Sequence, residues 1–368
     1  MDGVNLDTDG QGRGLALSEL EIIDINTGTI SNNSANLVGG LGGGILIENS
    51  TSGTTTTATI DSVMITGNTA SLGGGVYASG VNLTIEDATT ISNNSASVDG
   101  GGVYIDGGSV MIFSTTIDGN RADESGGGVY VDSGALTLRS SMISNNRALG
   151  SDSGGGGVYL LGSGITSPAF SIFDTGFDSN TARSGGGGLE IVGNPGTISL
   201  GIYQRNSVTG GILQNQGGGA IVLLAGSSAT SPAISILGVT LRQNSAPTGG
   251  GLAAVNPNLT LDSVLIENNS TIAVGGGFPT EGVGGGIAAI GDDQGGSISI
   301  LNSKIQNNMA VSDAGGIGVA DVDLSLTDTT ITSNGFSVAV GGRAGGIGIQ
   351  GVQRTPVLTA NRVTIDNN

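Results

Sequence analysis

The chain has 368 residues, of which 71 are glycine and none is cysteine or histidine. These two absences exclude disulfide bonds, a thiolate nucleophile, an imidazole base and metal sites built on either residue. Eleven basic against 30 acidic residues give a formal net charge of −19, which disfavours nucleic acid and anionic membranes as partners. No apolar run reaches the roughly 18 residues of a membrane-spanning helix, so direct membrane insertion is not expected.

Residues 1–19 form an acidic segment, which we interpret as an N-terminal lead or cap. Within it, Asp7 and Asp9 stand at alternate positions before Gly10 and Gly12. Oxygen ligands spaced in this way before a glycine turn are typical of loops that bind hard cations. Asp7 and Asp9 are therefore candidates for a calcium site, although a solvated acidic cap without metal explains the pattern equally. No other cofactor is expected.

From residue 20 onward one motif recurs: an aliphatic or aromatic residue, two variable positions and then asparagine, as in Ile91-Ser-Asn-Asn94. The base period is 26 residues, and some copies carry insertions. Because stacked amides hydrogen-bond to one another, these asparagines are predicted to form a structural ladder. The predicted ladder comprises Asn68, Asn94, Asn120, Asn146, Asn180, Asn206, Asn244, Asn269, Asn308 and Asn334. We also expect asparagine at this corner to adopt a left-handed backbone conformation.

Two further patterns accompany each copy. A run of glycines precedes an aliphatic strand, as in Gly100-Gly-Gly-Val103, and an alternating triplet such as Leu136-Thr-Leu138 precedes the next motif. Short stretches with a period of two, separated by Gly, Asn and Ser, indicate strands. We therefore predict an all-β fold, a right-handed parallel β-helix of about 12 coils and roughly 55–60 Å, formed by residues 20–368 as one domain.

The alternation of Ile-x-x-Asn with Gly-Gly-aliphatic resembles the repeats of the polymorphic outer membrane proteins and related bacterial surface proteins. The resemblance covers residues from about 20 to 368, with Ile mostly in place of the family's Phe. It implies a parallel β-helix, an extracellular or cell-surface location and a role as a stalk. Because the repeat is still running at Asn367-Asn368, we expect the chain to be a fragment of a longer protein.

A catalytic role in glycoside hydrolysis would require a pair of carboxylates. The candidate pairs are Asp123 with Glu124, Asp292 with Asp293, and Asp321 with Asp323. The first two pairs read as turns, and the chain has no histidine for the motif of polygalacturonase-like helices. The sequence therefore predicts that the protein is not an enzyme.

Four of the five tyrosines, Tyr77, Tyr104, Tyr130 and Tyr159, occupy the middle of the strand that follows the glycine run. This position is predicted to face outward, and in later coils it reads Glu190, Ile221, Ala253, Ala288, Gly318 and Gly348. Stacked tyrosines offer rigid contact area to glycans or proteins. The alternative is a purely structural column stabilised by cross-strand packing.

We conclude from the sequence that the chain is a non-catalytic extracellular scaffold, structural or adhesive, within a bacterial surface or filament-forming protein. The expected partners are further copies of the chain or neighbouring surface proteins, with glycans as a further candidate. The alternative is a carbohydrate-binding or polysaccharide-degrading β-helix module that uses the tyrosine column or the loop edges.

Overall fold

The computed structural model describes residues 14–35, 39–49, 55–151, 154–162, 169–210, 217–226, 231–273, 283–293, 295–337 and 344–368, together with the backbone of residues 2–7. Within these ranges, the regular secondary structure consists of β-strands, which form three sheets. In the same ranges, no helix is present that could cross a membrane.

Sheet A is the largest, with 23 strands in the described part of the chain. Most coils contribute two strands to it, and a single corner residue or short turn separates the two. Its strands are Asp2–Asp7, Ile22–Ser31, Thr56–Thr66, Val81–Glu86, Thr90–Ser92, Ser109–Phe113, Thr116–Asp118, Ala135–Arg139, Met142–Ser144, Phe170–Phe173, Gly176–Asp178, Gly196–Ser199, Ile202–Gln204, Ala233–Leu237, Thr240–Arg242, Asn258–Asp262, Leu265–Glu267, Gly296–Leu301, Lys304–Gln306, Val322–Thr327, Thr330–Thr332, Leu358–Asn361 and Thr364–Asp366.

Sheets B and C hold 12 and 11 of the described strands. Sheet B follows the glycine runs, and its strands are Leu15–Ser18, Ile45–Glu48, Val76–Ser79, Val103–Asp106, Val129–Asp132, Val158–Leu161, Leu189–Val192, Ile221–Leu224, Leu252–Val255, Ile287–Ile290, Ile317–Ala320 and Ile347–Gln350. Sheet C follows the motif asparagines, with strands Ser34–Ala35, Thr69–Ala70, Ser95–Ala96, Arg121–Ala122, Arg147–Ala148, Thr181–Ala182, Ser207–Val208, Ser245–Ala246, Ser270–Thr271, Met309–Ala310 and Gly335–Phe336.

Each strand pairs in parallel with the equivalent strand one coil later. In sheet A, Ile65 pairs with Ile91 and Ile91 with Ile117, and in sheet B, Val76 pairs with Val103. The chain therefore winds through the three sheets coil after coil, which confirms the predicted right-handed parallel β-helix. The N-terminal segment takes part in this stacking, because Asp2–Asp7 pairs with Ile22–Ser31 and Leu15–Ser18 with Ile45–Glu48.

The core is a continuous stack of aliphatic side chains, one set per coil. Ile91, Ile117 and Ile143 lie above one another with no exposed surface, as the alternation predicts. Phe177 and Tyr203 take the same position in the next two coils, and their rings stack with centroids 4.5 Å apart. Because one coil cannot bury its apolar face alone, the neighbouring coils stabilise each other.

The motif asparagines form an unbroken ladder beside this core. Nδ2 of Asn94 donates a hydrogen bond to Oδ1 of Asn120 (3.0 Å), and the backbone N–H of Asn94 donates to the same oxygen (2.9 Å). Nδ2 of Asn94 also donates to the carbonyl oxygen of Ile65 (3.0 Å). The same amide-to-amide bond joins every successive pair from Asn33 to Asn368. Each rung therefore satisfies amides that are cut off from water.

The left-handed backbone at this corner belongs to a different residue from the one expected. The ladder asparagines are not among the residues with positive φ; the residue just before each of them is, as at Asn93 (φ 55°), Ser179 (57°) and Arg205 (54°). The bend must lie one position earlier because the ladder asparagine's own N–H has to point along the axis to the next rung.

The glycine run is required by close backbone approach between coils. Gly100 has φ 66°, and a Cβ on Gly101 or Gly102 would lie 2.4 or 2.6 Å from a glycine carbonyl oxygen of the next coil. A side chain on Gly101 or Gly102 would force the neighbouring coil to move away, so glycine at these positions allows the coils to approach closely at this corner.

Candidate functional site

The tyrosine column lies on the outer face of sheet B, on the side away from the core. Tyr77, Tyr104, Tyr130 and Tyr159 pair in register, and their ring centroids are 5.3, 4.9 and 5.0 Å apart. Interplanar angles of 4–23° make this a stacked column of four rings.

The column is covered rather than open. Only 6–8% of each tyrosine is exposed, because Leu41, Leu72, Leu161 and Val192 pack against the rings. Burial raises the pKa of Tyr77 to about 12, helped by the nearby charge of Asp106, and it raises the pKa of the other three further. The column therefore forms a second small core outside sheet B.

A buried carboxyl group continues the column. Glu190 pairs with Tyr159 in register and is fully buried. Burial raises the pKa of Glu190 to about 7, although the backbone N–H groups of Gly186 (3.2 Å) and Gly154 donate hydrogen bonds that oppose the shift. Asp99 behaves similarly, since burial raises its pKa to about 6 against a hydrogen bond from the Ser125 N–H (2.8 Å).

One position of the outer column differs from the sequence prediction. Val222, not Ile221, pairs with Glu190 and Ala253, because the strand begins at Ile221. Ala220 stands where the other coils have the third glycine of the run, which shifted the predicted register by one residue.

The same outer face is open in the later coils. Ala288, Gly318 and Gly348 continue the column there, and they form the floor of a groove of about 600 Å³. Its walls include Asp313 and Gln350. The volume that tyrosine rings fill in the early coils is therefore not filled by the described residues of the late ones.

The corner position and the outer column differ in opposite ways between the early and the late coils. A Cβ on Gly100 would lie 2.6 Å from the Val103 carbonyl oxygen and 2.8 Å from the Cβ of Tyr104, so glycine stands beside the tyrosine in this coil. In the late coils the corner position carries Ala314, which adopts the left-handed conformation at φ 55°, and a Cβ on Gly318 would lie 3.1 Å from its methyl group. The backbone path is retained while the large side chain is lost.

A second groove, of about 610 Å³, crosses sheet A where each coil bends between its two strands. We call it the elbow groove. It is lined by Ser114, Thr115, Thr116, Ser140, Ser141, Met142, Asp174, Gly176, Asp178, Gly201, Ile202 and Gln204. The bend residues Ser114, Ser140 and Asp174 have φ between 47° and 51°. Sequence reasoning missed this groove because these positions follow no repeated motif.

The paired carboxylates weighed for catalysis are engaged in structural contacts. Asp321 accepts hydrogen bonds from the backbone N–H groups of Val352, Gln353 and Arg354 (2.8–3.1 Å), and Asp323 accepts two from the Arg354 guanidinium (both 2.9 Å). Desolvation would raise the pKa of Asp321, but these hydrogen bonds outweigh it and hold the pKa below its usual value. The pair fixes the loop around residues 351–357.

One member of each of the other two pairs is also engaged in a structural contact. Asp292 accepts a hydrogen bond from Asn256 Nδ2 (2.9 Å) and one from the N–H of Gly295 (3.2 Å). Asp123 forms an ion pair with Arg121 (2.5 Å). These contacts match the turn interpretation of both segments.

Among the described residues, one group of carboxylates converges enough to be considered for a metal. Oxygens of Asp61, Glu86 and Asp87 lie within 4.8 Å of one another, and desolvation with the neighbouring acids raises the pKa of Glu86. The three residues are exposed or half-buried, and exposed acidic groups commonly converge in this way without a bound ion. Asp9 and the side chain of Asp7 lie outside the described residues, so the N-terminal calcium site stays a prediction.

Comparison with known proteins supports the predicted resemblance. Residues 88–106 match the model of the Chlamydia polymorphic membrane protein repeat. No curated protein sequence matches the chain. Among solved structures, the chain is similar to the A-module of Azotobacter vinelandii mannuronan C-5 epimerase AlgE4, with 13% identity, a TM-score of 0.47 and coverage of 94% of this chain and 87% of the other. It is also similar to pectate lyase Pel9A, with 13% identity, a TM-score of 0.38 and coverage of 77% and 70%.

The prediction that the chain is not an enzyme is contradicted by these similarities. Both similar structures are enzymes by name, an epimerase and a lyase. The prediction was based on the absence of histidine and cysteine. Carboxylates, tyrosine and lysine also perform acid–base chemistry, and the chain contains all three. Composition therefore does not exclude catalysis in this chain.

Proposed function

We propose that the chain is the rigid shaft of an extracellular bacterial surface protein, which holds adhesive surfaces away from the cell. The unbroken amide ladder from Asn33 to Asn368 is the observation that carries this proposal. A ladder with no missing rung couples each coil to the next, as a shaft under load requires. The match to a membrane-protein repeat supports the surface location.

The test uses native cells that express the protein. Antibodies raised against the chain should label intact cells, and their Fab fragments should reduce adhesion. Labelling only after permeabilisation would contradict the extracellular location, and adhesion unchanged by saturating Fab would contradict the adhesive role.

Partners of the shaft are part of the same proposal. We expect further copies of the chain or neighbouring surface proteins to bind it, and sedimentation of the purified chain across a concentration series tests self-association. The N-terminal calcium site is tested by thermal unfolding with calcium or EDTA. A melting temperature unaffected by calcium would remove Asp7 and Asp9 as ligands.

The second candidate function is a carbohydrate-binding or polysaccharide-modifying module. Two open grooves of about 600 and 610 Å³ favour it, because ligand sites commonly have volumes of this order. Neutral and acidic polysaccharides incubated with the chain, followed by analysis of released or altered sugars, test the modifying role. Binding arrays test the binding role.

A further inference from the structure

The floor of the elbow groove offers exposed apolar side chains to a ligand. In the column of outward residues it runs through Thr116, Met142, Gly176 and Ile202, and Met142 and Ile202 are 44% and 42% exposed. Gly176 has no left-handed φ, so another residue could adopt its conformation. The Met142 thioether fills the space that a Gly176 side chain would take, since its Cε and Sδ lie 2.9 and 3.0 Å from the position of a Cβ on Gly176. The floor is therefore a continuous apolar strip.

The groove also offers a carboxylate with unused hydrogen-bonding capacity. Among the described residues, the Asp174 side chain has one partner, the hydroxyl of Ser140 at 3.5 Å. Asp178 nearby is different, because Gln204 (3.0 Å) and Arg205 (3.0 Å) both donate hydrogen bonds to it. An ionised carboxylate has about four acceptor sites, so Asp174 can accept several further hydrogen bonds.

An aromatic ring stands at the rim beside this carboxylate. Phe173 directly precedes Asp174 and is 37% exposed. The Arg139 guanidinium lies 5.2 Å from the ring centroid, over the ring. The rim thus combines an apolar ring with a carboxylate acceptor.

The backbone at the bend is not available to a ligand. The N–H groups of Ser114, Ser140 and Asp174 donate to carbonyl oxygens one coil later, at 3.1, 3.0 and 2.9 Å. A peptide that binds by strand addition needs free backbone groups at a sheet edge. This groove lies on a sheet face and offers side-chain groups, which disfavours an extended peptide.

The charge of the site selects among sugars. Asp174 is not paired with a cation in the described residues, and the whole chain has a formal net charge of −19. A uronate chain would be repelled by both. Hydroxyl-rich neutral chains fit, because their hydroxyls can donate to Asp174 while their C–H surfaces contact Met142, Ile202 and Phe173.

We propose that the elbow groove binds a neutral oligosaccharide that lies along the helix axis, with Asp174 accepting hydrogen bonds from sugar hydroxyls and with Met142 and Ile202 contacting the C–H faces of the sugar rings. This inference rests on the second candidate function, the carbohydrate-binding module. It is independent of the shaft.

The test begins with an array of neutral cello-, xylo-, manno- and chito-oligosaccharides beside uronate oligomers. Titration calorimetry with the strongest neutral ligand then compares the chain with Asp174→Ala and Gly176→Thr. Both variants should weaken binding by about tenfold or more, since one loses a charged acceptor and the other displaces the Met142 thioether into the groove. Threonine is the native residue of this column at Thr116 and Thr240, and the nearest atom to a new Cβ is the mobile Met142 Cε at 2.9 Å, so the Gly176→Thr variant should fold.

The matched control is Thr330→Val, in the same column but in a coil away from the groove. It should change the dissociation constant by less than about twofold. Circular dichroism melts of all variants exclude unfolding as the cause of lost binding.

Three outcomes overturn the inference in different ways. Neutral-sugar binding that survives both groove variants would place the sugar elsewhere and leave the module function standing. Uronate binding that strengthens in Asp174→Asn would show an anionic ligand. No sugar binding on the array, with no polysaccharide altered, would remove the module function as well.

Discussion

The asparagine ladder and the outer column of sheet B each take one residue per coil, yet only the ladder is uniform. From Asn33 to Asn368 every rung is the same amide, whereas the outer column changes from Leu46 through tyrosine to Glu190, Val222, alanine and glycine. Each buried ladder amide bonds both to the equivalent amide and to backbone groups of the neighbouring coils, so replacing it strands several partners at once. The outer column has only to fill space, so its side chains can change and leave grooves.

The largest expected effect comes from breaking the ladder. Asn146→Ala removes the acceptor of the Asn120 N–H and Nδ2 (both 3.0 Å) and the donor to Asn180 Oδ1 and the Ile117 carbonyl oxygen. Stranding these buried groups should cost about 3–5 kcal/mol of unfolding free energy, measured by urea denaturation.

The matched control for the ladder variant is Ser144→Ala, two residues away, where one partly buried side-chain hydrogen bond to Asp118 is lost. Its effect should stay within about 1 kcal/mol. An equal loss of unfolding free energy in the two variants would show that the ladder asparagine contributes no more to stability than Ser144.

The outer column should make stability depend on pH. The pKa of Glu190 is raised from 4.5 to about 7 in the folded chain, so the folded state holds a proton that the unfolded state has released. Its contribution is fully present below pH 4.5 and is lost as the pH rises through about 7, a change of order 2–3 kcal/mol. The wild-type melting temperature should therefore fall from pH 5 to pH 8.

Glu190→Gln should flatten this pH profile, with Asp99→Asn as the control for the second raised carboxyl. Asp99 titrates in the same direction, with its pKa raised from 3.8 to about 6, and should account for what remains at the acid side. If the melting temperature of Glu190→Gln fell with pH as steeply as that of the native chain, the pH dependence would come from other groups.

A smaller effect on stability is expected from a buried polar atom that lies outside the asparagine ladder. The Tyr203 hydroxyl is fully buried and has no hydrogen-bond partner among the described residues. Tyr203→Phe should therefore stabilise the chain by about 1 kcal/mol while keeping the ring contact with Phe177. Phe177→Leu, which removes that ring contact, should destabilise it; a loss of stability in Tyr203→Phe would reveal a partner for the hydroxyl.

The sequence was sufficient for the fold because the motif repeats. Ile91-Ser-Asn-Asn94 and its copies specify an inward aliphatic residue and a ladder amide, and a period of two specifies strands. The predicted register was wrong by one residue at Ile221, because Ala220 replaces a glycine and resembles the first residue of the strand.

The candidate site was less predictable because it depends on side chains that do not repeat. The tyrosines lie on the predicted face, but their cover comes from Leu41 and Leu72, which precede the glycine run and belong to no motif. The elbow groove depends on the outward residues Met142, Gly176 and Ile202 and on the bend residue Asp174, and no repeated motif marks these positions in the sequence.

The central claim is that the ladder inside the coils, rather than the bends outside them, holds the shaft together. Hydrogen exchange tests it directly on amides with hydrogen bonds of similar length: the N–H of Asn94 and Asn120, bonded to ladder oxygens at 2.9 and 3.0 Å, against those of Ser114 and Ser140 at the bend, bonded at 3.1 and 3.0 Å. The account predicts that the ladder amides exchange about a hundredfold more slowly, because Asn94 and Asn120 are buried beside the core whereas Ser114 and Ser140 are exposed to solvent. Equal exchange rates at the two places would contradict it.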